Sequence, residues 1–456
     1  MELPGIFLDS IKEVKGFDEE AFKKVHQSGE QITSVRKNPE KTFNNQSSIF
    51  NAQLEEVPWN TKGYYFAERP SFTADPLFHA GAYYVQEASS MFLEQALKQT
   101  VDLLQTVKIL DLCAAPGGKS TLIQSLISAE SLLVSNEVIK TRINVLSENI
   151  TKWGAANVIV TNNDAKDFKR LENYFDVIVI DAPCSGSGLF RKDAAAINEW
   201  SLNNVQGYSQ RQQRILADVF SSLKENGIII YSTCSYSTEE DEAICDWIIK
   251  EFKVESVQLK IEESWDIVET QSEIYKAFGY RFYPDKVKGE GFFIAAFINR
   301  QFANGNTQSE NRKTEKVSKN EMEVLKPWLK NADDFFFIKQ NEDIIAMPLH
   351  LHNDLAAIQN SLYIKKAGVK IGAVIRDELI PHHELALSTI ISKGIPSIEV
   401  DLQTALQYLR KQEIKIKYSL KGWALIKYQQ LPLGWVKILP NRINNYYPKE
   451  WRILNK

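Results

Sequence analysis

Short apolar runs alternate with longer amphipathic segments between residues 76 and 300. The runs rich in Val and Ile are VKILDL (107–112), SLLVSN (131–136), NVIVTN (157–162), FDVIVID (175–181) and GIIIYST (227–233). Continuous apolar runs of this length are typical of strands buried on both faces of a parallel sheet. Segments between them, such as KTRINVLSENITKWG, are long enough for crossover helices. The pattern therefore predicts an α/β fold with a doubly wound, Rossmann-like domain over residues 76–300, which GFFIAAFIN (291–299) closes with one more strand.

The flanking segments have different patterns. Residues 1–75 contain a helical stretch, FDEEAFKKVHQSG, and a short segment, ITSVRKNPEKT, which together predict a small α+β domain. Residues 301–320 are polar and predict a linker. An intermediate α+β domain is expected over 321–385, where DDFFFIKQNEDIIAMPL has a strand–turn–strand pattern. Residues 386–456 predict a β-rich domain in which GWALIKY and GWVKIL flank a short turn.

Composition limits the class of protein. The chain has 456 residues, 44% hydrophobic and 25% charged, as in ordinary globular proteins of several domains. No apolar run approaches the roughly 18 residues of a transmembrane helix, and the start, MELPGIFLDSIKEVKGF, lacks the basic and apolar regions of a secretory signal. Four cysteines do not make a disulfide scaffold. We therefore expect a protein of the reducing cytoplasm.

The charge is unevenly distributed. The net charge is -4, yet residues 401–456 hold 11 Lys and Arg against 3 Asp and Glu, together with 8 Tyr and Trp. A basic, aromatic-rich segment on an otherwise acidic chain indicates binding of a polyanion such as RNA. The alternative is a solvated basic face on a small β-rich domain.

A glycine-rich turn follows the first strand of the predicted sheet. The stretch ILDLCAAPGGKST ends like a phosphate-binding P-loop, Gly-x-x-x-x-Gly-Lys-Ser/Thr. In that pattern a glycine is required where this chain has Cys113. Two alanines and a proline also stiffen the turn, so a nucleoside triphosphatase is disfavoured.

Acidic residues follow four successive strands. Ligands of open α/β sheets bind outside the carboxyl ends of the strands. The acidic residues at those ends are Asp111, Glu137, Asp164 and Asp181. They would repel a phosphate, whereas they suit a ligand with a ribose, a base and a positive centre, such as S-adenosylmethionine. Each residue could alternatively be only a helix cap.

Two cysteines fall at the same edge. Cys184 follows the fourth strand in DAPCSGSG, and Cys234 follows the fifth in YSTCSY. Carbon 5 of a pyrimidine is a poor nucleophile, but addition of a thiolate to carbon 6 activates it. A base must then remove the carbon 5 proton, and an acidic group such as Asp181 would stabilise the charge on the ring. Cys245, inside a helical stretch, is expected to be structural.

Several segments resemble one family. DLCAAPGGKS, VIVIDAPCSGSGLFRKD and YSTCSYSTEEDE resemble motifs I, IV and VI of the Sun-type RNA cytosine-5 methyltransferases. HAGAYYVQEASSM, ITSVRKNP and KGEGFFIAAF resemble further family segments, so the resemblance covers residues 30 to 300. The tail LPLGWVKILPNRINNYYPKEWR resembles the PUA-like RNA-binding domain of bacterial RsmF-like ribosomal RNA methyltransferases. Asp285 stands where the family often has His.

The resemblance assigns roles that sequence order leaves open, because DNA cytosine methylases use the motif IV cysteine as nucleophile. It implies that Cys234 is the nucleophile, that Cys184 assists product release, and that Lys192 lies near the target base. It places S-adenosylmethionine against Cys113, Ala114, Ala115, Pro116, Gly117, Gly118, Lys119, Glu137, Asp164 and Asp181. The implied substrate is structured RNA, with small-subunit (16S) ribosomal RNA favoured over transfer RNA.

One interpretation from another functional class stays open at this point. A non-catalytic RNA-binding assembly factor could retain the cofactor fold, although both cysteines and all four acids are present. A metal site at His350, His352, His382 and His383 is not expected, since a second pair of ligands at usual spacing is lacking. The acidic run Thr238–Glu242 is interpreted as a helix N-terminus rather than a catalytic cluster.

Overall fold

The computed structural model describes residues 3–44, 49–50, 54–301, 317–414, 416 and 421–454. The predicted linker lies mostly outside these residues, since 302–316 are not among them. The described residues form four sheets. None of their helices is long and apolar enough to cross a membrane.

The N-terminal elements form a small antiparallel sheet with helices beside it. Its strand order is β2-β3-β1-β4. The elements are α1 Gly5–Ile11, α2 Glu19–Gln27, β1 Thr33–Lys37, β2 Glu55–Glu56, β3 Gly63–Phe66, α3 Pro76–His79 and β4 Tyr83–Val85. Helix α2 begins where Asp18 accepts hydrogen bonds from the backbone N–H groups of Glu20 and Ala21.

The central sheet confirms the Rossmann-like prediction. Strands β9, β8, β5, β6 and β7 pair in parallel in that order. Antiparallel strands extend one edge through β13, β12 and β11. The elements are α4 Leu93–Thr100, β5 Lys108–Asp111, α5 Gly118–Gln124, β6 Leu132–Asn136, α6 Ile143–Trp153, β7 Val158–Thr161, β8 Phe175–Asp181, α7 Ala194–Glu199, α8 Leu202–Val219, β9 Leu223–Thr233, α9 Glu242–Phe252, β10 Glu255–Val257, β11 Val268–Gln271, β12 Phe278–Phe282 and β13 Phe292–Ile298.

Both faces of this sheet are buried, which is why its strands have no polar alternation. Ile109 packs into one apolar cluster, and the next residue, Leu110, packs into another on the opposite face. Val177 and Ile178 divide in the same way. Successive side chains of a strand point to opposite faces, so these strands contribute apolar side chains to a core on each side of the sheet.

The C-terminal elements form two further sheets, with orders β14-β15-β17-β18 and β19-β20-β21-β22. The elements are α10 Lys319–Leu325, β14 Phe335–Gln340, β15 Asp343–Pro348, α11 His352–Ser361, β16 Ile364–Ala367, β17 Val369–Ile375, β18 Glu378–Pro381, α12 His383–Leu387, β19 Ser397–Glu399, α13 Leu402–Leu409, β20 Gly422–Tyr428, β21 Leu431–Leu439 and β22 Arg442–Asn445. The predicted hairpins are present as β14–β15 and β20–β21.

Two associations join segments that are distant in the chain. Strand β16 pairs antiparallel with β7 and so adds an edge strand to the central sheet. Val436 of the last sheet and Tyr408 of helix α13 share an apolar cluster with Val35 and Leu77 of the N-terminal segment. The basic tail is therefore packed onto the body of the protein.

Candidate active site

Two thiols meet at the carboxyl edge of the central sheet. Strands β8 and β9 are parallel neighbours, and Asp181 at the end of β8 pairs in register with Ser232 of β9. The residues that follow each strand therefore lie side by side. The sulfur atoms of Cys184 and Cys234 are 3.0 Å apart, and both cysteines are free. Their hydrogen bond is the largest cause that raises the pKa of Cys184, followed by burial.

A buried glutamate ties the two cysteine loops together. Glu240 accepts hydrogen bonds from the backbone N–H of Ser185 at 2.7 Å, from the Ser185 hydroxyl at 2.5 Å and from the Ser235 hydroxyl at 2.6 Å. Its side chain is fully buried. Each serine follows a cysteine in the chain, so one carboxylate fixes both loops beside each other.

The acidic run Thr238–Glu242 lies at the start of a helix, in agreement with the sequence interpretation. Helix α9 begins at Glu242 with Asp241 at its N-cap position, although no side chain caps it. The buried contacts of the run were not predicted: Asp241 and Glu242 pair with the buried guanidinium of Arg281.

Asp181 has both carboxylate oxygens engaged. Its Oδ1 accepts a hydrogen bond from Ser232 Oγ at 2.9 Å, and its Oδ2 lies 2.8 Å from Lys119 Nζ. The side chain keeps 37% of its surface exposed to the cavity. Lys119 comes from the start of α5, so this ion pair links the glycine turn to the end of β8.

The glycine turn has a conformation that requires glycine. Gly117 has φ +115, and α5 begins at the next residue. Asp111, fully buried behind the turn, accepts a hydrogen bond from Ser120 Oγ at 2.6 Å. Burial raises the pKa of Asp111 to about 7. Asp111 thus supports the turn from inside and is not among the residues that line the cavity.

A buried arginine from the N-terminal sheet holds the same helix. Arg36 donates to Thr121 Oγ1 at 2.7 Å, to Ser125 Oγ at 3.0 Å and to the carbonyl of Gly118 at 3.3 Å. It also donates to the side chain of Gln86 at 2.8 Å. Burial lowers the pKa of Arg36 to about 9. The N-terminal segment therefore helps to fix the position of the turn.

The predicted acids after β6 and β7 lie further along the edge. Glu137 is buried, accepts a hydrogen bond from the backbone N–H of Ile139 at 2.8 Å, and lies 3.5 Å from Arg142. Asp164 accepts from the N–H of Lys166 as a helix cap. It lines a separate small cavity of about 60 Å³ together with Cys113.

A cavity of about 450 Å³ lies over this edge. It is bounded by the glycine turn, the ends of β8 and β9, and β4 with the residues after it. The predicted site residues that line it are Cys113, Ala114, Ala115, Pro116, Gly118, Lys119, Asp181 and Cys234. Its size is within the range of small-molecule sites, roughly 300–1,000 Å³. Burial holds the pKa of the Cys113 thiol far above its usual range, so this cysteine is a neutral lining group.

Two basic residues lie near Glu290, a carboxylate that lines the cavity. Lys192 Nζ lies 3.9 Å and Arg191 Nη1 3.8 Å from the carboxylate of Glu290, which lines the cavity. Lys192 itself is not one of the lining residues. Asp285, where the family often has His, pairs with Lys286 at 3.4 Å and is also outside the lining.

Sequence reasoning missed Glu240, Arg36 and Glu290. Glu240 lies in the acidic run Thr238–Glu242, and the sequence of that run does not show which of its acidic side chains is buried. Arg36 and Glu290 lie in segments that resemble the family, but the resemblance assigns no role to either residue. Cys245 is buried inside α9, as expected. In the described parts of the chain, no group of three His, Cys, Asp or Glu side chains is arranged to hold a metal ion.

Three family models match successive segments of the chain. The model of the 16S rRNA methyltransferase RsmB/F family matches residues 98–298. The model of the N-terminal domain of 16S rRNA methyltransferase RsmF matches residues 3–88, and that of the methyltransferase RsmF PUA domain matches residues 395–453.

Curated relatives match along most of the chain. Ribosomal RNA small subunit methyltransferase F of Vibrio parahaemolyticus is 30% identical over 421 residues, which is 87% of this chain and 85% of the relative. The protein of the same name from Aeromonas salmonicida is 29% identical over 415 residues, with the same coverage of both chains.

Solved structures have the same fold. A methyltransferase homologue from Pyrococcus horikoshii is 28% identical, with a TM-score of 0.54 over 64% of this chain and 94% of the other. NSun6 from the same organism, solved with SFG, is 19% identical, with a TM-score of 0.54 over 65% of this chain and 98% of that one, and shows the fold alone.

Proposed function

Because the chain belongs to the RsmB/F family of 16S rRNA methyltransferases, we propose that it transfers a methyl group from S-adenosylmethionine to carbon 5 of a cytosine in small-subunit ribosomal RNA. The observation that carries the proposal is the pair of free thiols 3.0 Å apart beside the cavity. Carbon 5 chemistry requires a sulfur nucleophile, whereas methylation of a nitrogen or a hydroxyl does not. The same proposal includes the division of the chain into domains at residues 75, 300, 320 and 385. It also includes a cytoplasmic location.

The cofactor fits the cavity beside the glycine turn. A Cβ on Gly118 would lie 3.4 Å from the ring of Tyr84, so a side chain there would narrow the space between the turn and the opposite wall. S-adenosylmethionine would extend from this cavity along the sheet edge to the small cavity that Cys113 also lines. Asp181 with Lys119 would lie toward its methionine end, Glu137 would bind the ribose, and Cys113 with Asp164 would lie toward the adenine. When bound, S-adenosylmethionine supplies an electrophilic methyl group.

Cys234 acts as the nucleophile because it lines the cavity. The sulfur of Cys184 lies 3.0 Å from the Cys234 sulfur, within hydrogen-bond distance, which places the assisting thiol beside the attacking one. Addition of Cys234 to carbon 6 of the base turns its sulfur into a thioether. Cys184 would then lose its own proton to solvent and, as a thiolate, accept the proton of carbon 5, so that the bond from Cys234 to carbon 6 breaks and Cys234 leaves as a thiolate.

The target base must leave its stack to reach the cavity. The C-terminal sheet, with exposed basic residues such as Arg442 and Lys449, would bind phosphates on either side of that base. Retention of both thiols disfavours a non-catalytic assembly factor, and the family relationship disfavours transfer RNA as the substrate.

The test is a map of methylated cytosines. Bisulfite sequencing of small-subunit ribosomal RNA from cells with and without the gene should show one or more sites that are lost without it. Complementation with Cys234→Ala should not restore them, while purified Cys234→Ala should bind S-adenosylmethionine with an unchanged Kd. An identical methylation map in the two strains, or full activity of Cys234→Ala on purified RNA, would reject the proposal.

A further inference from the structure

Glu290 is a buried carboxylate without a hydrogen bond to its oxygens. Its side chain is 2% exposed and lines the same cavity as Cys234 and Asp181. Neither carboxylate oxygen accepts a hydrogen bond from the residues that the structure describes. Arg191 at 3.8 Å and Lys192 at 3.9 Å are beyond hydrogen-bond distance. Burial of a polar group without a hydrogen-bond partner destabilises the folded protein. Such a group is explained where a bound ligand supplies the missing hydrogen bonds.

Hydrogen bonds fix the backbone of Glu290, and Gly188 links the next residue, Gly291, to the Cys234 loop. Its N–H donates to Glu87 at 2.9 Å, and its carbonyl accepts from Ser89 Oγ at 2.9 Å. The N–H of Gly188 donates to the carbonyl of Cys234 at 2.8 Å. A Cβ on Gly188 would lie 2.4 Å from the carbonyl oxygen of Gly291. Gly188 is thus enclosed between the Cys234 loop and the residue that follows Glu290.

Asp181 is poorly suited to donate a proton to the ring. Its Oδ1 accepts a hydrogen bond from Ser232, and its Oδ2 lies 2.8 Å from the ammonium of Lys119. Both oxygens are therefore occupied by other side chains. The two oxygens of Glu290 have no hydrogen-bond partner among the described residues, so Glu290 is the carboxyl group that is better placed to contact the ring.

We propose that Glu290 binds the Watson–Crick edge of the target cytosine and protonates ring nitrogen 3 as Cys234 adds to carbon 6. This inference rests on the proposed function. One carboxyl oxygen donates its proton to nitrogen 3, and the other accepts a hydrogen bond from the exocyclic amine. Uracil has a hydrogen on nitrogen 3 and an acceptor at carbon 4, so the same carboxylic acid would disfavour uracil.

The electrons and protons balance in this step. The Cys234 thiolate forms the bond from sulfur to carbon 6, and the double bond between carbons 5 and 6 moves to carbons 5 and 4. The electrons of the double bond between carbon 4 and nitrogen 3 pass to nitrogen 3, which takes the proton of Glu290. Carbon 5 is then nucleophilic. Once carbon 5 carries its methyl group, nitrogen 3 returns the proton to the Glu290 carboxylate.

The surroundings of Glu290 keep a proton available near neutral pH. Burial is the largest effect and raises the pKa of Glu290 to about 7, while Arg191 and Lys192 lower it and Glu87 raises it further. The phenol of Tyr236 also faces the carboxylate, and Glu290 contributes to raising the pKa of that phenol. A general acid is most effective when its pKa lies near the working pH.

The experiment compares the wild-type protein with Glu290→Gln and Glu290→Asp. In vitro transcribed small-subunit ribosomal RNA containing 5-fluorocytidine traps the covalent adduct, because fluorine cannot leave as a proton does. Single-turnover adduct formation is followed on denaturing gels from pH 5.5 to 9. Glutamine has the same size as glutamate and can form the hydrogen bonds to the base, but it cannot supply the proton. We therefore expect the rate of adduct formation by Glu290→Gln to be about 100-fold lower than that of the wild type at pH 7. The KM for RNA should change less than threefold.

The pH profile separates catalysis from a structural role. The wild-type rate should pass through a maximum near pH 7, whereas the rate of Glu290→Gln should keep rising with pH. Glu290→Asp, which keeps the acid, should recover at least tenfold over Glu290→Gln. An unchanged Tm and cofactor Kd show that the variants are folded.

Two results would overturn the inference. If Glu290→Gln forms the adduct at the wild-type rate and with the wild-type profile, Glu290 is not the acid, although the proposed function stands. If the wild-type protein forms no adduct and methylates no unmodified transcript, the proposed function fails and the inference fails with it.

Discussion

The sulfur atoms of Cys184 and Cys234 lie 3.0 Å apart, although the two residues are 50 positions apart in the chain. The contact exists because β8 and β9 are adjacent parallel strands that end in register. Of this pair, Cys234 lines the cavity of about 450 Å³, whereas Cys184 is not among its lining residues and has a raised pKa. This difference supports the proposal that Cys234 attacks the base and Cys184 assists.

Replacement of the assisting thiol should separate adduct formation from release. Cys184→Ala retains the nucleophile but lacks the group that accepts the carbon 5 proton, so we expect a covalent protein–RNA adduct through Cys234 and multiple-turnover activity lowered about 100-fold or more. Denaturing gels with labelled RNA measure the adduct. The matched control is Cys245→Ala, a buried cysteine inside α9, which should accumulate none. Absence of an adduct in Cys184→Ala would contradict the release role.

Loss of the carboxylate between the cysteine loops should slow both half-reactions. Glu240→Gln weakens the contacts to Ser185 and Ser235, so we expect adduct formation and release each to fall about tenfold or more while the cofactor Kd is unchanged. Glu239→Gln, the same change one residue earlier, contacts neither serine and serves as control. Equal rates in the two variants would show that Glu240 does not position the thiols.

Asp111 should make stability depend on pH. Its pKa is about 7 in the folded protein and about 3.9 in an unfolded chain. Between these values the folded state holds a proton that the unfolded state has released, so the free energy of unfolding falls as pH rises through this window. Asp111→Asn removes the titrating carboxyl group and, with it, this contribution to the pH dependence of the free energy of unfolding.

Thermal unfolding at pH 5 and pH 8 measures the effect. The decrease in Tm from pH 5 to pH 8 should be smaller in Asp111→Asn than in the wild-type protein. Asp102→Asn, on an exposed loop, should follow the wild type. A parallel pH dependence in all three proteins would contradict the prediction.

The basic C-terminal sheet should contribute to RNA affinity through phosphate contacts. Arg442 and Lys449 are exposed, so the double replacement by Ala should leave the fold intact, raise the KM for RNA about tenfold and reduce the slope of log affinity against log salt by about 1 to 2. The exposed Lys250→Ala on α9 is the control. An unchanged salt slope would exclude these residues from the RNA interface.

Substitution is a better test here than deletion of the tail. Tyr408, Leu409 and Val436 pack into the cluster that also contains Val35 and Leu77. Removal of residues 401–456 would expose that cluster, and the loss of buried apolar surface would destabilise the N-terminal segment. The basic composition of the tail was visible in the sequence, but its packing was not.

The sequence by itself determined the elements of the central sheet and the residue types at its edge. Val- and Ile-rich runs without polar alternation need burial on both faces, and a parallel sheet between helices provides it. The sequence also predicted that one edge of the sheet carries the glycine turn, the acidic strand ends and both cysteines. These residues follow the apolar runs, and the carboxyl ends of parallel strands share one edge.

The tertiary structure decided which of these residues face one another. Strand order placed β8 beside β9 and so brought Cys184 to Cys234, and it also separated Asp164 from the cavity that Asp181 lines. Burial of Glu240 and Glu290 depends on contacts across 50 or more residues of chain, such as those from Ser185 to Glu240 and from Glu87 to Glu290. Local sequence does not encode such contacts, since the same acidic residue can be a solvated surface charge or a buried functional group according to what packs over it.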